Sequence, residues 1–226
     1  MDPDPGSSVE STEILDKYVQ ASQSLDNARA GSMEVDINAS VPKLKANGRL
    51  HALRMMSHVG RITYRVLGFQ GSNAVKTQVI ARYLQAEQQG QTNPHLTVAP
   101  VNYKFKFKGP HRVDSGKDVY VFALTPKKKE AGLFKGEIWL DASTYLPVYE
   151  KGRFVKNPTI FFKRVDFERA FAIKDGKPLP QYMNSTITTR VVGKVELDVN
   201  YSNYAPDSDG TESAGSSLST VSFSSR

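Results

Sequence analysis

The sequence predicts an α+β fold that is mostly β: a single curved antiparallel sheet of about ten strands, an unclosed barrel, with two helices over its concave face. Three observations predict it. Short segments in which apolar and polar residues alternate recur from Met33 to Tyr201. Only two stretches have helical spacing. Helices do not alternate with the strands, as a parallel sheet would require. A sheet of about ten strands curls, and its concave face has to be filled. Two amphipathic helices cover only part of that width, so the interior either keeps a lined cavity or is packed full by side chains.

The elements follow in order. Residues 1–8 are expected to be disordered, and Ser7 with Glu10 offers a capping box for a first helix from about Val9 to Ala28. Ile14, Leu15, Tyr18, Val19, Ser22 and Leu25 give that helix its apolar stripe. Met33, Val35, Ile37, Ala39 and Val41 then alternate with Glu34, Asp36, Asn38 and Ser40, which marks a strand with one solvated face. Gly48 to Met56 is a less regular strand. In the next, Ile62, Tyr64 and Val66 oppose Arg61, Thr63 and Arg65. Gly71-Ser72-Asn73 ends it and opens a second helix with Val75, Val79, Tyr83 and Leu84 on one side, stopped by Gly90.

Beyond a polar linker every signal is that of a strand. Tyr103, Phe105 and Phe107 alternate with Lys104, Lys106 and Lys108. Further strands are expected over 117–125, 133–140, 145–155, 158–173, 181–192 and 194–202, with a Lys174-Asp175-Gly176 turn. Phe134, Ile138 and Leu140 share one face of their strand. Lys135, Glu137 and Trp139 share the other, so one large aromatic stands on a charged face. The Ser-rich tail, 205–226, is expected to be disordered.

Composition excludes several function classes. The chain has no Cys, so disulfides, zinc–thiolate sites and thiol nucleophiles are ruled out. No run of 18 apolar residues offers a membrane-spanning helix. His51, His58, His95 and His111 lack metal-ligand spacing, and neither a phosphate loop nor a nucleophile elbow occurs. No catalytic residue, metal or cofactor is therefore expected. Charge is unevenly placed: of the net +7, residues 1–30 carry −4 and 203–226 carry −2, which leaves +13 on the body between. Such a body attracts anionic partners. In YKFKFK the aromatics and the lysines fall on opposite strand faces, so they form no joint stacking platform and nucleic acid is not an expected partner. Lys127, Lys128 and Lys129 sit together in a loop between strands, where they suit docking to an anionic surface.

One stretch carries a family likeness. GEIWLDASTYLPV, residues 136–148, resembles the hairpin of the bacterial outer-membrane lipoprotein-sorting proteins, the LolA/LolB/RseB-like superfamily, in which a strand ends in Asp, a Thr follows and a Pro opens the return strand. The order of elements resembles that family over residues 9–204. The resemblance implies a LolA-like lipid-binding domain with an apolar cavity for the acyl chains of a lipoprotein or another lipid. It also implies a periplasmic location, no catalysis and a carrier or sensor role. No export signal stands at Met1-Asp2-Pro3, so one is expected upstream. Alternation picks out the candidate cavity residues: Val35, Ile37, Tyr64, Val66, Tyr103, Phe105, Phe107, Ile138, Leu140, Phe161, Val165, Phe167, Met183, Ile187, Leu197 and Val199. The alternative is an RseB-like sensor whose basic body binds an acidic partner protein or an anionic membrane surface. A monomer is expected in either case.

Overall fold

The structure, a computed structural model, describes residues 5–23, 30–58, 60–91, 97–114, 116–157 and 159–207. Helix α1 is Pro5–Gln23. Strands β1 (Gly31–Val41), β2 (Ala46–Met56) and β3 (Ile62–Gly71) follow, with a 3-10 turn, Pro42–Leu44, between the first two. Asn73–Val75, a π-helical turn at Lys76–Ile80 and Ala81–Gln91 run on as one helical segment, here α2. Seven strands complete the chain: β4 (Tyr103–Arg112), β5 (Asp118–Pro126), β6 (Phe134–Asp141), β7 (Pro147–Phe154), β8 (Phe162–Lys174), β9 (Lys177–Thr189) and β10 (Lys194–Pro206).

All ten strands lie in one antiparallel sheet, in the order β3-β2-β1-β10-β9-β8-β7-β6-β5-β4. β3 and β4 are its two edges, so the sheet is unclosed, and the segment containing α2 crosses from one edge to the other. The strands are therefore two meanders joined where β1 pairs with β10, not one continuous meander. Alternation tells which face a residue takes but not which strand it pairs with, and the long helical connection frees β3 from β4.

The start of α1 and the end of β10 differ from those expected. α1 starts at Pro5, ahead of Val9, so residues 5–8 are helical. Proline is favoured in a first helical turn, where its missing N–H has no partner to lose, and Ser7 then lies inside the helix rather than at its cap. β10 runs to Pro206 because Ser32 and Gly31 of β1 still pair with Ala205 and Pro206. The disorder expected at 208–226 and the end of α1 expected at Ala28 fall outside the described residues.

One inward row crosses every strand by direct pairing: Phe69, Leu50, Ile37, Val199, Met183, Arg169, Glu150, Ile138, Phe122 and Phe107. Eight of the ten are apolar, and an ion pair sits in the middle. On one side of it α2 packs Val75, Val79, Ile80 and Leu84 onto Val35, Ile37, Leu50, Leu197 and Val199. On the other, α1 packs Ile14 and Tyr18 against Tyr103, Phe122, Leu124, Ile138 and Leu140. The concave face thus holds two apolar cores, each under its own helix.

Candidate functional site on the concave face

The site is the seam between these two cores. Arg169 Nε donates to Glu150 Oε2 at 2.7 Å, and its Nη2 lies 2.5 Å from the same oxygen. The guanidinium also stacks 5.5 Å from the ring centre of Phe167 and 5.6 Å from that of Phe171. Burial disfavours its charge, but the Glu150 carboxylate outweighs this and holds its pKa above the ordinary value. Glu150 keeps only 5 % of its side-chain surface accessible, whereas Arg169 keeps 39 %. An inward-facing arginine that keeps this much accessible surface is not sealed by the two cores on either side of it.

A second polar cluster ties α2 down. Arg54, inward on β2, donates through Nε to Glu87 Oε1 of α2 at 3.2 Å. The Tyr64 hydroxyl of β3 donates to the other oxygen of Glu87. Arg54 is 7 % accessible and Glu87 15 %. Burial works against the charge of Arg54, and Glu87 beside it restores and raises its pKa. Burial first, and then Glu87, push the Tyr64 hydroxyl well above its ordinary pKa. Next to this cluster Tyr83 of α2 meets Tyr201 of β10, hydroxyl to hydroxyl, at 3.5 Å.

Among the described residues α1 buries fewer side chains than α2. Ile14 and Tyr18 are its buried side chains among the described residues, and the Tyr18 hydroxyl donates to the Val98 carbonyl at 2.5 Å. Lys17 reaches Glu13 at 2.7 Å and the Tyr145 hydroxyl at 3.4 Å from the surface.

All the residues singled out for the cavity that lie in strands face the concave side, and Phe161 immediately precedes β8. Val35, Ile37, Tyr103, Ile138, Leu140, Val165, Phe167, Ile187, Leu197 and Val199 are buried in the two cores. Tyr64, Phe105, Phe107, Phe161 and Met183 are half-buried, and Val66 is 39 % exposed near the β3 edge. Arg54, Glu87, Glu150 and Arg169 were missed. Their signal was present: Arg54 follows Leu50 and Ala52, and Arg169 follows Val165 and Phe167, at the inward positions of their strands.

The Asp141 turn closes the β6–β7 hairpin from a single oxygen. Asp141 Oδ1 accepts from the amides of Ser143 (3.0 Å) and Thr144 (2.9 Å) and from their hydroxyls at 2.5 and 3.1 Å. Tyr145 then takes a left-handed φ of 59°. Partial burial raises the Asp141 pKa, but these four donors outweigh it and hold the carboxyl below its ordinary 3.8. A depressed folded-state pKa adds stability above the unfolded value, and that stability fades as pH falls through the folded one. Asp141→Ala is expected to lower stability by about 1–3 kcal/mol at pH 7 and by less below pH 3.8, read from urea unfolding at both pH values. Equal losses at the two pH values would count against the turn's charge.

Beside this turn lies an open hollow of about 700 Å³ lined by Lys117, Asp118, Asp141, Ser143, Phe171 and Ile173. No group of three metal-ligating side chains occurs among the described residues. Among them, too, no helix is long and apolar enough to cross a membrane.

No protein-family model and no curated sequence matches the chain. Solved structures do. The chain is similar to a LolA superfamily protein from Nitrosomonas europaea, at 14% identity over 85% of this chain and 91% of that one, with a TM-score of 0.45. It is similar to an outer membrane lipoprotein-sorting protein domain from Vibrio parahaemolyticus, at 12% identity over 87% and 93%, TM-score 0.47. A DUF1329 family protein from Desulfovibrio piger is 15% identical over 89% and 95%, TM-score 0.46.

Proposed function

We propose that the chain is a non-catalytic carrier that holds an acyl chain, of a lipoprotein or another lipid, on the concave face between its helices, in the periplasm. The observation that carries this reading is the accessible Arg169 at the centre of the inward row, between two separately packed apolar halves. A closed or fully packed barrel would seal that position. Most candidate cavity residues are sealed here, so loading requires a helix to move, and α1 is the one that costs least. Its two buried side chains contribute roughly 1.5–3 kcal/mol each, and most of a helix's stability in a protein comes from such packing. α2 brings four buried aliphatics and the Glu87 cluster, so it stays.

Titration with a fluorescent fatty acid is expected to show saturable binding. Ile14→Ser together with Tyr18→Ser should speed loading about tenfold, since loss of the lid's apolar contacts favours the open form. If no fatty acid binds at high micromolar concentration, the carrier reading is wrong. The competing sensor reading needs no loaded cavity, and a saturable acyl site would decide against it.

A further inference from the structure

We infer that one end of the half-barrel is a docking surface for an anionic phospholipid bilayer. Antiparallel pairing brings four loops to that end: 42–45 between β1 and β2, 127–133 between β5 and β6, 155–161 between β7 and β8, and 190–193 between β9 and β10. The chain entering β4 arrives there as well. These four loops contain seven basic residues, Lys43, Lys45, Lys127, Lys128, Lys129, Lys156 and Arg190, against one acid, Glu130. The loops at the opposite end, 57–61, 113–117, 142–146 and 175–176, contain Arg61 and Lys117 against Asp114 and Asp175. One end is +6 and the other is neutral.

The charged end is also the greasy one. Leu44 is 50 % exposed, Val101 76 %, Ile160 78 % and Val191 67 %. All four lie at this end, whereas no described residue of the opposite loops is a large exposed aliphatic. Hydrogen bonds join three of these tips and the chain entering β4 into one rim. Arg190 Nε donates to the Ile160 carbonyl at 2.7 Å, and the Val155 amide donates to the Leu133 carbonyl at 2.9 Å. Lys127 Nζ donates to the Pro100 carbonyl at 2.6 Å, beside Val101.

The layout selects the partner. The core of a protein interface is a contiguous apolar patch in which lysine is depleted. Here the aliphatics stand singly on separate loops with lysine or arginine beside them. That arrangement lets each tip enter the headgroup boundary of a fluid layer while its neighbouring cation meets a phosphate. The surface lies at the ends of the strands rather than on the concave face, so docking and acyl binding are separately measurable. Together they would put one end of the carrier against the layer from which it takes its ligand.

Co-sedimentation of the full chain with vesicles tests this. Binding is expected to phosphatidylcholine vesicles containing about a third phosphatidylglycerol, to weaken in high salt, and to be lost with phosphatidylcholine alone. Lys43→Ala, Lys128→Ala and Lys129→Ala should each weaken binding about fivefold. Ile160→Asp with Val191→Asp should abolish it without altering the melting temperature, because both side chains are exposed. Arg61→Ala with Lys117→Ala, at the other end, should leave it unchanged. Equal binding to neutral vesicles, no binding to either, or equal loss from the opposite-end variant would overturn the proposal. Capture of polyglutamate without vesicle binding would assign the rim to an acidic protein and overturn it too. None of these outcomes bears on the fatty-acid titration, so failure of one reading leaves the other measurable.

Discussion

Glu87→Leu is expected to lower stability by about 3–5 kcal/mol in urea unfolding at pH 7. The substitution removes the only carboxylate bonded to Arg54 among the described residues, and it leaves a guanidinium 7 % accessible on the inner face of β2. It also deprives the Tyr64 hydroxyl of its acceptor. The size follows from the stranded charge rather than from the attraction lost, because a buried pair gains little net energy over well-packed apolar groups. Two further results separate these causes. Glu87→Leu with Arg54→Leu should recover most of the loss. Amide exchange in the Glu87 variant should quicken over 81–91 before it does in β1 and β10, since the cluster fastens α2 to the sheet. If the double variant is no more stable than the single, the stranded charge is not the cause.

The strands could be read in the sequence because each carries its own signal. Met33 to Val41 alternates over its whole length, and the structure buries every odd position there. Pairing could not be read so easily, because β1 and β10 lie far apart in sequence and nothing in either names the other. The half-barrel could be inferred from strand number and curl, but its two edges could not. The π-helical turn in α2 brings Ile80 into the core beside Val79, which a strict 3.6-residue period does not anticipate. Trp139, on the charged face of β6, has a local explanation: it lies 5.1 Å from Tyr149 and 5.3 Å from His111, with Lys151 over its ring. The seam between the two cores illustrates the limit best. Alternation places Arg169 on the inner face, but only the packing of two separate cores, one on each side, leaves that position accessible. Likewise Lys127, Lys128 and Lys129 stand out alone in the sequence, while Lys43, Ile160 and Val191 join them only through topology.

Gly136→Val is expected to have the other large effect, a loss of about 4–5 kcal/mol or failure to accumulate folded protein. Gly136 of β6 pairs directly with Gly152 of β7, and both face inward. A Cβ on Gly136 would overlap the Lys151 carbonyl oxygen and approach Gly152 Cα to 2.6 Å. One on Gly152 would lie 2.6 Å from Phe134 Cδ2 and 2.7 Å from the Lys135 carbonyl oxygen. Most of these obstacles are backbone atoms of the adjacent strand, which cannot turn aside as a flexible side chain could. The missing side chains let β6 and β7 close together, and Phe134 and Phe167 occupy the space above, 5.0 Å apart edge to face. Valine would have to open the β6–β7 ladder or unstack those rings, and the core beneath α1 depends on both. Because Gly136→Val is not expected to yield enough folded protein for an unfolding curve, Gly136→Ala supplies the measurable case. Its single methyl meets the same carbonyl, so urea unfolding should show a loss above about 2 kcal/mol. A loss under 1 kcal/mol would mean that the two strands do not approach so closely.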